Sequence, residues 1–350
     1  DRTLDIKNYE SRSDNRFINI SKRENYIFNS TINGIEESDL IFLIGANPRF
    51  EATILNARIR KAYLKNNTSI FSLNEIGDLT YPYQSLSGKT KTLKEIFENN
   101  NEISKNILNS KRPLIVLGES FFHSQSANYL FNLIKEYLTK NDKFSNEWNP
   151  LNILSNDAAT VGCLDLDIVN QKNDLIKDLN ENKFELVFLI GQDELNFKKK
   201  NEFIIYQGSH GDKGAEIADI ILPGSAYTEQ SGYYTNLEGR IQKAFKASYP
   251  PGDAKEDWQI INEIAEEINN RKLFNDKEEL VSSMLNFLNL KKEKQKSDFK
   301  KDIVHQEFVD EELKLILKNY YFSNVIARSS KTMVECNNSK IELKKTGTEG

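Results

Sequence analysis

Ala218-Asp219-Ile220-Ile221-Leu222-Pro223-Gly224-Ser225-Ala226-Tyr227-Thr228-Glu229-Gln230 runs on to Asn236-Leu237-Glu238-Gly239-Arg240-Ile241-Gln242. Its opening is a short β-branched apolar run, as a buried strand requires. Pro223 and Gly224 end that strand as soon as it emerges. A polar loop follows and closes in Asn-Leu-Glu-Gly-Arg, where Gly239 lets the backbone turn or approach something closely. Glu238 and Arg240 read as a charged pair across that turn. In open α/β sheets ligands sit outside the carboxyl ends of the strands. The loop is therefore either the lip of a site or a plain strand–turn–helix connector.

The same grammar repeats outward. Leu40-Ile41-Phe42-Leu43-Ile44-Gly45 is a buried-strand run ended by glycine, and Leu186–Gly191 repeats it. Further strands are expected at Ser69–Leu73, Leu114–Gly118, Leu151–Leu154 and Phe203–Gln207. Between them lie a helix with Leu55, Ile59, Ala62 and Tyr63 on one face, one near Thr92–Phe97, and one near 124–139 striped by Leu130, Leu133, Ile134, Tyr137 and Leu138. This alternation predicts an α/β chain of two doubly wound lobes, about 38–150 and 151–270, with polar Asn141–Pro150 as the link between them. Residues 1–37 are polar and read as an N-terminal arm or a loop crossing a partner. Asp253 is expected to cap a helix striped by Trp258, Ile261, Ala265 and Ile268. From 271 to 350 the texture is that of a linker and a docking tail, partly extended and partly helical. Its lysine run (Lys291, Lys292, Lys294, Lys296, Lys300, Lys301) has the pattern of a solvated face.

Composition excludes several classes. Lys+Arg 47 against Asp+Glu 52 gives a net charge of −5, which offers no general argument for nucleic acid or membrane surfaces. No apolar run approaches the roughly 18–20 residues that span a bilayer. Two cysteines, Cys163 and Cys336, rule out a four-Cys iron–sulfur site within the chain and a disulfide framework. Gly208-Ser209-His210-Gly211-Asp212-Lys213-Gly214 has glycines after a strand, but no Gly-Lys-Ser/Thr closes it, so permissive turn geometry is the ordinary reading. Asn47-Pro48 reads as a helix-entry turn. His123, His210 and His305 are scattered, with no matched nucleophile. The first residue is Asp1, which suggests a processed or partial product. Heavy use of Asn, Lys and Ile suggests an AT-rich, organelle-like gene.

The 218–242 block resembles the molybdopterin oxidoreductase superfamily, which carries leucine-proline, then glutamate, then asparagine-x-glutamate-glycine-arginine-x-glutamine. Ile205-Tyr206-Gln207-Gly208-Ser209-His210-Gly211-Asp212, Asp78-Leu79-Thr80-Tyr81 and Tyr320–Met333 resemble the non-catalytic branch, the large (75 kDa, G-type) iron–sulfur subunit of respiratory complex I, NADH:ubiquinone oxidoreductase. The likeness runs from about Tyr26 to Cys336. It implies a structural domain of the NADH-oxidising peripheral arm, with no catalytic residue, metal ligand or bound cofactor in this chain. The iron–sulfur clusters are expected in an N-terminal half outside it. Asn47, Pro48, Glu229, Asn236, Glu238, Gly239 and Arg240 become candidates for a vestigial pterin site. Implied partners are the cluster-bearing half and the NADH-oxidising flavoprotein subunits, on the matrix side of the mitochondrial inner membrane. The alternative is a fragment of a molybdenum- or tungsten-pterin oxidoreductase of the formate dehydrogenase kind, which would need a metal ligand beside an acid/base histidine.

Overall fold

Leu40–Ile44 (β1) is apolar at every position because both of its faces are covered. Side chains alternate across a strand. Phe42 and Ile44 therefore meet Leu93, Ile96 and Phe97 of helix Thr90–Glu98 and Leu130, Ile134 and Leu138 of helix Ala127–Lys140. Ile41 and Leu43 meet Leu55, Ile59 and Ala62 of helix Thr53–Asn66 on the other side. The structure, a computed structural model, describes residues 6–14, 16–98, 101–170, 174–195, 197–297 and 307–345.

Parallel to β1 in the same sheet run Ser69–Ser72 (β2), Gln84–Ser85 (β3), Pro113–Gly118 (β4) and Leu151–Leu154 (β5), in the order β3-β2-β1-β4-β5. Leu40 pairs with Ser69 on one side and Pro113 on the other. The winding reverses between β1 and β4, the point where such sheets open a crevice. Because β5 pairs with β4, the expected interlobe link at Asn141–Pro150 needs correcting. Trp148 is buried there and its indole N–H donates to the Pro113 carbonyl at 2.8 Å, while the Pro150 carbonyl accepts from Ile115 N–H. That segment is the crossover into β5, and the break between the sheets follows residue 154.

The second sheet is Leu186–Ile190 (β6), Phe203–Gly208 (β7) and Ile220–Pro223 (β8), parallel and in that order. One face buries Leu189, Ile204 and Tyr206 under Leu195, Phe197, Ala215 and Ile217. On the other, Leu186, Phe203, Ile190 and Ile220 share a face and are 44–59% exposed. Gly232–Thr235 (β9) and Ile241–Ala244 (β10) form an antiparallel hairpin, and its turn is Asn236–Arg240.

Residues 16–37 do not stand off as an arm. The Ile27 carbonyl accepts from Ile153 N–H, Phe28 forms an antiparallel bridge with Asn152, and Phe28 N–H donates to Leu237. Asn152 is fully buried, and its amide holds Ser30 from both sides. The segment thus closes the β5 edge and wedges against the hairpin turn, which also answers the edge-strand problem there.

Helix Asp257–Asn269 is capped by Glu256 in a reciprocal capping box with Gln259, not by Asp253. Its buried residues are Ile260, Asn262 and Ala265, while Ile268 faces out. Lys291, in helix Lys277–Ser297, is no solvated lysine: its ammonium donates to the Leu164 and Asp165 carbonyls and to Asp167. Such a cation at the end of helix Thr160–Asp165 complements its dipole. Lys292, Lys294 and Lys296 continue that helix, while Lys300, Lys301 and His305 lie outside the described residues. Residues 307–318 return to the first lobe, where Leu313 enters the core. Helices Val325–Ser329 and Lys331–Lys345 follow. No helix among the described residues is long and apolar enough to cross a membrane.

Candidate functional site

The turns after β1 and β4 are pressed together where the winding reverses. Gly45 has φ +62°, and a Cβ there would stand 2.5 Å from the Phe121 backbone nitrogen. A Cβ on Gly118 would run into the Gly45 carbonyl. Only glycine fits at either place. Asn47 is the helix cap the sequence suggests: its Oδ1 accepts from Arg49 N–H at 3.2 Å, and its Nδ2 donates to the Ile76 carbonyl at 3.0 Å. Pro48 occupies the first helical position.

What the sequence reading missed is the filling of this crevice. The Glu51 carboxylate accepts from Asn47 N–H and from Asn156 Nδ2. Glu119, just beyond β4, accepts from Asn156 N–H and from the guanidinium of Arg16, itself only 6% exposed. Burial pushes the Glu51 carboxyl above the usual range and the nearby Glu119 adds to this, against the donors Asn47 and Asn156. The one available signal was positional: Glu119 follows the strand-ending Gly118 as Ala46-Asn47 follows Gly45.

The remaining candidates are spread over two turns. Glu229 closes a local one, its carboxylate accepting from Ala226 N–H at 2.9 Å. Asn236, Glu238, Gly239 and Arg240 form the hairpin turn. There Glu238 accepts from Ile32 N–H at 2.7 Å, and the Gly239 carbonyl accepts from Arg23 at 2.6 Å. Arg240 gives its backbone N–H to Asn236 Oδ1 and leaves its side chain exposed, so the expected Glu238–Arg240 pair does not form. In its place Arg23 forks onto Asp165 at 2.9 and 2.8 Å, joined by the Tyr26 hydroxyl at 2.9 Å. Burial, together with the Asp165 charge, drives the Tyr26 phenol far above its ordinary pKa. Leu237 packs on the core cluster holding Ala46, which sets the hairpin turn and the β1 turn on one side of the first sheet. No hydrogen bond among the described residues links Glu229 to either.

The glycines of the loop after β7 do not show the permissive turn geometry expected of them: none of Gly208, Gly211 and Gly214 has a positive φ. A Cβ on Gly214 would meet the Tyr206 ring at 2.7 Å and the Gln192 carbonyl at 2.6 Å, so the glycine makes room for that ring. Asp212 caps helix Lys213–Ile217, and His210 Nδ1 lies 2.9 Å from Ser209 Oγ. Asp14, Glu119 and His123 converge to within 4.8 Å, a spacing that suits a metal ion. Arg16, bonded to Glu119 and 3.4 Å from Asp14, already supplies the positive charge there. Burial raises the Cys163 thiol, against a hydrogen bond with Ser11, and Cys336 is exposed.

Comparison with known proteins matches residues 2–267 to the molybdopterin oxidoreductase family and residues 286–336 to the C-terminal domain of the G-type chain of NADH-ubiquinone oxidoreductase. Among curated relatives, the mitochondrial NADH-ubiquinone oxidoreductase 78 kDa subunit of Candida albicans is 39% identical over 90% of this chain and 45% of that protein. The NADH-ubiquinone oxidoreductase 75 kDa subunit of Reclinomonas americana is 38% identical over 94% and 49%, and the G-type chain of NADH-quinone oxidoreductase from Rickettsia bellii is 36% identical over 98% and 50%. The chain spans about half the length of the curated relatives it matches. With the matched segment covering both sheets and the hairpin, the chain belongs to the molybdopterin oxidoreductase family.

Proposed function

We propose that this chain is a structural, non-catalytic part of the peripheral arm of respiratory complex I, supporting NADH-to-ubiquinone electron transfer carried by iron–sulfur clusters outside it. The observation that carries this is the crevice at the β1/β4 reversal, filled from within by Glu51, Glu119 and Arg16. A pterin dinucleotide brings phosphates, and phosphates seek free helix-start N–H groups and cations. Here the Asn47 N–H is bound to Glu51, and two carboxylates face the space a phosphate would need. The residues present do not suit that cofactor. A metal-ligating thiolate has no counterpart either, with Cys163 raised by burial and Cys336 out on a terminal helix. In this reading the partners are other peripheral-arm subunits, including the cluster-bearing half and the flavoprotein subunits, on the matrix side of the mitochondrial inner membrane.

The test is molybdenum, tungsten and extractable pterin per chain in natively purified material, with identification of the proteins that co-purify. Values near zero, with complex I subunits recovered, are expected. About one metal and one pterin per chain would overturn the reading in favour of a formate dehydrogenase-like enzyme.

A further inference from the structure

The segment 307–329 crosses the carboxyl ends of strands in both sheets. On the first, Leu313 enters the core, its N–H donates to Gly88 beyond β3, and its carbonyl accepts from Asn74 beyond β2. Ile316 N–H donates to Ser120 Oγ beyond β4. The chain then passes to the second sheet through two cations. Lys318 binds Asp157, beyond β5, at 2.6 Å and lies 3.9 Å from Glu194, beyond β6. Arg328 binds Asp212, beyond β7, at 2.7 Å and Glu194 at 3.2 Å, and lies 4.0 Å from Asp193. Asp193 is nearly inaccessible and is fixed by the Tyr206 hydroxyl and Gly214 N–H.

Strand ends in this fold are where a ligand would sit. Here they carry carboxylates, and a strap from the same chain lays two cations, Lys318 and Arg328, across them. We propose that residues 307–329 act as a cis-acting clasp, a strap anchored by Leu313 on the first sheet, whose Lys318 spans Asp157 at the end of the first sheet and Glu194 at the end of the second and whose Arg328 holds the acidic strand ends of the second, setting how the two sheets sit together. Leu313 supplies apolar attachment that salt does not weaken. Apart from the Asp193 contact the cation contacts are partly exposed, so raising ionic strength screens them. The clasp therefore opens at its second-sheet end first.

Hydrogen exchange on the full chain tests this without requiring any partner, so its failure is separate from failure of the complex I reading. In Lys318→Ala/Arg328→Ala, amides at 192–195 and 210–217 should exchange about tenfold faster, while β1 and β4 stay protected. In the unaltered chain, going from about 0.05 to 0.5 M NaCl should reproduce that local pattern. Arg328→Lys with Lys318 unaltered, which keeps both cations, should leave these loops protected. Unchanged exchange in these loops under both salt and substitution would overturn the clasp. So would loss of protection spread equally over β1 and β4 on adding salt, because the strap would then be ordinary core.

Discussion

Arg23→Ala tests the idea that the family loop has become internal scaffolding. Arg23 makes a two-pronged contact to Asp165 and a third bond to the Gly239 carbonyl. Asp165 is 4% exposed, so removing Arg23 strands a buried carboxylate with the Tyr26 hydroxyl as its remaining side-chain donor. Breaking a buried pair in this way costs about 3–5 kcal/mol. Arg23 keeps some contact with water, which places the expected loss near the lower end, about 3 kcal/mol. With an unfolding entropy of about 2.1 cal/mol/K per residue, a 350-residue chain shifts by about 4 °C for that loss. Denaturant titration and thermal melting of Arg23→Ala, Asp165→Asn and the double variant form the assay. The double variant should lose less than the sum of the singles by about 2 kcal/mol, because each single leaves its partner unpaired. Additive losses, or a melting shift under about 1 °C for Arg23→Ala, would refute the reasoning.

Three further outcomes are expected. Gly45→Ala should cost clearly more than Gly77→Ala by urea titration: both have positive φ, worth about 1–2 kcal/mol, but Gly77 opens on free space and Gly45 on Phe121. Leu313→Ala should destabilise the first lobe by about 2–5 kcal/mol, since its side chain is 2% exposed in that core; a loss under about 1 kcal/mol would mean residues 307–318 only lie on it. Glu51 holds its proton more tightly folded than unfolded, so its protonation favours folding below about pH 4.5, and that stabilisation is lost as pH rises through the raised folded value. Glu51→Gln should therefore gain on the unaltered chain between about pH 4.5 and 7, and a constant difference in melting temperature over that range would contradict the assignment.

β1 and β4 were legible because burial on both faces leaves no freedom of composition, and β6 repeats their glycine-closed apolar run although one of its faces is exposed. Sheet membership was not legible. Polar Asn141–Pro150 reads as a linker, yet it is the crossover into β5, tied down by the Trp148 indole N–H on the Pro113 carbonyl and the Lys143 ammonium on the Leu108 and Ser110 carbonyls. The candidate site was half legible. Asn47 and Gly239 matter through backbone geometry that a motif records. Arg16, Arg23, Asp165 and Arg328 act through partners 103 to 142 positions away in the first three cases and 116 in the last, a pairing that no local pattern encodes. The N-terminal segment was misread for the same reason. A segment that closes an edge through one isolated bridge is held by its backbone and by a few amides of its neighbour such as Asn152, and its composition resembles that of a loop.

The second sheet also bears on how the protein is made. Parallel sheets are covered on both faces almost without exception, yet Leu186, Ile190, Phe203 and Ile220 meet water on one of its sides. A surface of that kind has two ways of drying itself, a dedicated cover or another molecule of the same sort. Synthesis of this chain ahead of its cover should then set a race between assembly and precipitation. Light scattering of the purified chain should rise with concentration, and Phe203→Lys should slow that rise while leaving the first lobe intact. Supply of the cover, more than the intrinsic stability of the fold, would then limit how much of the chain a cell can hold in solution.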